Sequence, residues 1–280
     1  MNSVLPHRRP VYLAASVALL ATVAGGISTA VDSPLGPQIS AAAGAAEGVE
    51  AISFPSPDEY FSALAKSTNP RWRKWYREIE QQPPTERSKI AAGLGMLVAE
   101  AHLSSMARDE QRLRNICGEI AAFAKVLGLS ETAATHLAAV EAAATRGSWP
   151  EAQLALEQLL SGFAGKLLEQ RDGDLARLAQ IGLWMRVLQV GAGVVQEGHV
   201  KDLSLAVGGE GMPQRVALIA SGLSERSRET EDVAFMLRQC DKICRVWSAE
   251  KFQSGREFTM EEVSDCHERL TGIIAHLSKR

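Results

Sequence analysis

From residue 58 onward, apolar positions recur every three or four residues, between segments opened by Ser, Thr, Asp or Asn and closed by Gly or Pro. That period belongs to helices. It predicts a short helix over 58–66 and a second over 69–81, with Asn69 as N-cap and Pro70 at the first helical position. Pro83-Pro84 breaks the pattern, and Thr85 opens a long helix to about 107. A third long helix covers 109–127 and stops at Gly128; Ser130 opens the next, to about 146. Ser148 and Pro150 start another to about 171, and Asp172-Gly173-Asp174 joins it to a helix over 175–195. Gly208, Gly209, Gly211 and Pro213 mark a loop, followed by helices over 214–224 and 229–249. Thr259-Met260-Glu261-Glu262 reads as a capping box that opens the last helix, to about 278. Strand-like alternation is missing from this region. The expected fold class is all-α: an antiparallel multi-helix bundle or stacked helical hairpins, about nine helices and no sheet.

The N-terminus has a different pattern. Arg8 and Arg9 precede an uncharged stretch over 11–31, and Ser28-Thr29-Ala30 supplies the small–x–small site of a secretory signal. Residues 1–30 are expected to be a signal peptide cleaved after Ala30. The alternative is an uncleaved span over 11–31, anchoring the chain in an inner membrane. Residues 31–57, rich in Pro, Gly, Ala and Ser, are expected to form a flexible linker, and 58–280 a single helical domain. The expected location is periplasmic or extracellular.

Composition adds bounds. The 280 residues are 46% hydrophobic and only 5% aromatic, with a formal charge of −3. Removing Arg8 and Arg9 with the signal takes the charge to −5, which gives no electrostatic reason to bind nucleic acid.

Gly147-Ser148-Trp149-Pro150-Glu151-Ala152, with Leu156 beyond, resembles one half of a tetratricopeptide unit. That architecture needs several copies at a period of about 34 residues, and no second copy is present, so a generic hairpin accounts for the segment. Motifs for zinc proteases, nucleotides, haem, di-iron and serine hydrolases are absent, and Gly191-Ala192-Gly193 lacks the spacing of a dinucleotide loop. No cofactor, no metal and no catalytic residue are expected.

Four cysteines in an exported chain suggest disulfides. Cys244 and Cys266 lie equally far from Gly255, the expected tip of the final hairpin, so a Cys244–Cys266 bridge worth about 3 kcal/mol is expected. Cys240, one turn from Cys244, would then pair with Cys117. A zinc site from Cys240, Cys244, Cys266 and His267 is the rival, at non-standard spacing, and plain buried thiols are the third option.

Two apolar helices carry isolated charges. Residues 90–103 include only Glu100 and His102 as titratable groups, and 178–195 only Arg186. A buried charge needs a partner, so Glu100 is expected to pair with Arg186. With His102 and His136 the two could also form an inter-helix site for catalysis or a small ligand. Finally, Trp72, Trp75, Tyr76 and Ile79 fall on one helical stripe flanked by Arg71, Arg73, Lys74 and Arg77. That suits a membrane-surface or partner-binding helix, or else a core helix with arginine stems folded over its tryptophans. The functional expectation is a non-catalytic module that binds an unknown protein or envelope component, held at a membrane if the signal is not cleaved.

Overall fold

The computed structural model describes residues 55–78, 82–198, 211–247 and 258–279, all belonging to one unit that spans residues 41–280. Ten α-helices and one 3-10 turn make up the described residues, with no strand among them, as the apolar periodicity requires. The expected signal, most of the expected linker, and residues 79–81, 199–210, 248–257 and 280 lie outside the described residues.

The helices are α1 (Pro57–Thr68), α2 (Arg87–Met106), α3 (Glu110–Val126), α4 (Ser130–Thr145), α5 (Trp149–Glu169) and α6 (Gly173–Gly198). They continue with α7 (Met212–Ser221), α8 (Glu225–Arg228), α9 (Glu231–Val246) and α10 (Met260–Leu277). Both capping boxes are formed, Ser56 with Glu59 at the start of α1 and Thr259 with Glu262 at the start of α10.

α2 and α6 are the centre. Each is apolar on all sides, and each is buried on all sides, as such a helix must be in water. α6 is also long and apolar enough to cross a bilayer, but nearly all of that stretch is enclosed by other helices, which makes it a core helix. The two cross where small residues let backbones touch. A Cβ added at Gly95 would sit 1.8 Å from the Ala179 carbonyl oxygen, and one at Gly182 would sit 2.0 Å from that of Ala92. Around this pair, α3, α4 and α5 stack in sequence on one side, α10 lies along α6 with α9 and α7 beyond it, and α1 rests on both central helices.

The expected helix over 69–81 is a correction. Asn69 ends α1 in the left-handed conformation instead of starting a helix, and only Trp72–Trp75 makes a short 3-10 turn. Tyr76 then turns extended. The cause is tertiary: the Trp75 and Arg77 carbonyls accept hydrogen bonds from the Arg186 and Arg112 guanidinium groups. A continuing helix would have committed those carbonyls to its own backbone.

Candidate functional site

Glu100 stands on α2 one turn beyond the crossing, fully buried, and Arg186 stands opposite it on α6. The Arg186 Nε donates to Glu100 Oε1 at 2.5 Å, and its Nη2 bonds the same carboxylate. Two further donors are also used: Nη1 on the Gln189 side-chain oxygen, Nη2 on the Trp75 carbonyl. Burial pulls the Arg186 guanidinium below its ordinary value and the Glu100 charge opposes this; a guanidinium stays charged regardless. Arg112 from α3 approaches Glu100 Oε2 at 3.6 Å and lies 5.0 Å above the Tyr76 ring. Gln189 passes the network on to Thr271 of α10 at 2.8 Å, and the Gln189 carbonyl lies 3.0 Å from His267 Nδ1. Arg77 and Glu119 form a further shielded pair at 4.0 Å.

This centre ties together α2, α3, α6, α10 and the 3-10 turn. Its acid and base already serve each other. The other two members of the expected inter-helix site are elsewhere. His102, two residues from Glu100 and therefore on another face, meets Asp58 of α1 at 3.0 Å. His136 faces α5, where a Cβ on Gly162 would stand 3.1 Å from its Nε2. Glu100, His102, His136 and Arg186 do not converge.

Two of the surface grooves among the described residues stand out, and neither is lined by those four residues. The larger, about 650 Å³, runs between Pro70, Arg71, Trp72, Arg73 and Lys74 on one wall and Met106 and Ala107 on the other. Its aromatic neighbours point inward. Trp72 packs on Phe61 with ring centroids 5.4 Å apart, and Trp75 covers Gly193 and meets the His267 ring at 5.9 Å. Of the two readings of this stripe the core one is the nearer, since the rings pack into the core, but the segment is a 3-10 turn and not an α-helix, so the membrane-surface helix expected from Trp72, Trp75 and Tyr76 is corrected. The basic side chains remain outside. Arg71 and Lys74 both reach Glu197 at 3.0 Å, and Arg73 reaches Asp109 at 3.2 Å. Arg77, by contrast, is drawn inward to Glu119.

The smaller groove, about 240 Å³, lies among α7, α8 and α9 and is lined in part by Cys240, Cys244 and Asp241. All four cysteines are free thiols, so neither Cys244–Cys266 nor Cys117–Cys240 is bridged. Cys244 turns to α7 and its thiol donates to the Pro213 carbonyl at 3.3 Å. Burial pushes Cys117 and Cys240 up to about 12 and Cys244 up to about 11, and it raises Cys266 as well. Besides burial, Asp265, Cys240 and Cys244 add to the rise at Cys266. His267, the fourth member of the rival zinc set, points away toward Gln189 and Trp75. Among the described residues no group of three or more His, Cys, Asp or Glu is arranged to hold a metal ion.

Gln189, Arg112 and Asp58 were not singled out in the sequence. Gln189 follows Arg186 by three positions and so shares its face, a signal that was readable. Arg112 lies in a charged stretch, and Asp58 is 44 residues from His102, so neither stood out. The chain matches no protein-family model, no curated protein and no solved structure.

Proposed function

We propose that the chain is an exported, non-catalytic helical module that binds a protein or envelope partner. The observation that carries this reading is the self-paired centre: Glu100 and Arg186, the acid and base a catalytic reading would need, are bonded to each other, and Arg186 also to Gln189 and Trp75, inside the core. Exposed basic side chains, held only in surface ion pairs, lie instead on the outer groove. The export part is supported by Arg8 and Arg9, the uncharged stretch over 11–31 and the Ser28-Thr29-Ala30 site.

The test is made in the native host. Terminal sequencing of the cell-envelope and external fractions is expected to find a chain beginning at Val31. A photo-reactive residue placed singly at Val126, Leu154, Leu218 and Arg73, all exposed and on separate elements, is expected to give a discrete protein adduct from at least one site. A cytosolic chain that keeps its first thirty residues defeats the export part; a chain beginning at Met1 in the membrane means the segment over 11–31 is an anchor. Absence of adducts from every position defeats the partner-binding part.

A further inference from the structure

We infer that the groove between the 3-10 turn and the end of α2 is a docking site for an acidic, extended peptide segment of a partner protein. The inference rests on the partner-binding reading above and names the chemistry of the partner.

The first argument is charge. Arg71, Arg73 and Lys74 have side chains 82%, 70% and 54% exposed on one rim of the groove. Among the described residues they meet two carboxylates, and Arg71 and Lys74 share the same oxygen of Glu197. Exposed pairs of this kind contribute little, so an incoming carboxylate can take over a cation at little cost. Arginine forks suit carboxylates in particular. The whole chain is acidic at −3, so the patch is not a reflection of bulk composition.

The second argument is shape. The groove is shallow and open, and Met106, Ala107 and Trp72 line it beside the cations. With about 650 Å³ open to solvent it suits a segment that lies across the surface, and methionine adapts to varied apolar side chains. A carboxylate can therefore sit on the rim while a neighbouring apolar side chain enters. A lipid surface fits less well. Trp72 and Trp75, the residues that would insert among acyl chains, are packed on Phe61 and Gly193.

The test uses the purified chain and a fluorescent peptide of alternating Glu-Leu and Glu-Ser pairs, followed by anisotropy. A peptide with Lys replacing every Glu is the control. Saturable binding of the acidic peptide that weakens with added salt is expected, with none of the basic peptide. Arg71→Glu with Lys74→Glu is expected to weaken binding by about tenfold or more, and Arg71→Gln with Lys74→Gln by less. Arg146→Glu, an exposed change on the α4–α5 corner, is expected to leave it unchanged. These positions are exposed, and circular dichroism checks that each variant stays folded.

Equal binding of both peptides, or binding indifferent to the reversals, overturns the inference. So does binding to vesicles of anionic lipid that the reversals abolish while the peptide shows none. In either case a cellular adduct at Val126, Leu154 or Leu218 would leave the partner-binding reading standing, so the two can fail separately.

Discussion

Glu100 carries a full charge into the core, and what it gains there depends on Arg186. Removing one member of such a pair strands the other, which typically costs about 3–5 kcal/mol. Glu100→Ala is expected to lose stability on that scale in urea unfolding. Glu100→Met with Arg186→Met is expected to recover part of the loss but not all, because Gln189 and the Trp75 carbonyl would then lack their donor. A second residue gives a pH signature. Burial pushes the Asp174 carboxyl up, but hydrogen bonds from Ser224 and Ser227 outweigh it and hold the carboxyl below its ordinary value. A lowered folded value means the contribution is present above the unfolded Asp value of about 3.9 and fades as pH falls through the folded one. Asp174→Asn is therefore expected to cost about 1 kcal/mol at neutral pH, discounted for solvent screening, and the difference should vanish in acid. The Glu100–Arg186 pair was legible in the sequence because each charge interrupts an apolar run. Arg112 was not, because a charged neighbourhood hides which member turns inward.

Helix α2 meets α6 at a spacing that only glycine permits. Gly95→Ala and Gly182→Ala each place a Cβ within 2.0 Å of a backbone carbonyl oxygen, so the helices must separate. Each change is expected to cost about 3 kcal/mol, the upper range of overpacking. Gly118 and Gly165 lie on helices with open space around them, so alanine there should stabilise by up to about 1 kcal/mol through helix propensity. Thermal unfolding of the four variants separates the two effects. Most helices were readable from caps and breaks, and Thr259 with Glu262 marked its helix start correctly. The failures have local causes. Asn69 serves at a helix start or in a left-handed stop, and the following Pro70 favoured the wrong choice. The aromatic stripe from Trp72 matched a helical period, yet two distant arginines claim that segment's carbonyls, which no local pattern encodes. α8 is one turn long and too short to show a period.

Across the whole molecule, the proposed export and the free thiols have to be reconciled, since the expected bridges would have supported an oxidising compartment. Burial does so. A thiol reacts as its thiolate, and Cys117, Cys240 and Cys244 are all pushed up to about 11 or 12. Such groups are expected to resist oxidation inside the fold even where the surroundings favour it. Cys244, the one cysteine not fully buried, should react first. Native protein treated with a chromogenic disulfide reagent at mild alkaline pH is expected to react on the order of a hundredfold more slowly than free cysteine. In concentrated guanidinium, without reductant, all four thiols are expected to titrate together. Only two would mean that one pair is oxidised after all. Peptide mapping that found Cys244 joined to Cys266 would then restore the bridge across α9 and α10, and with it a second line of support for export.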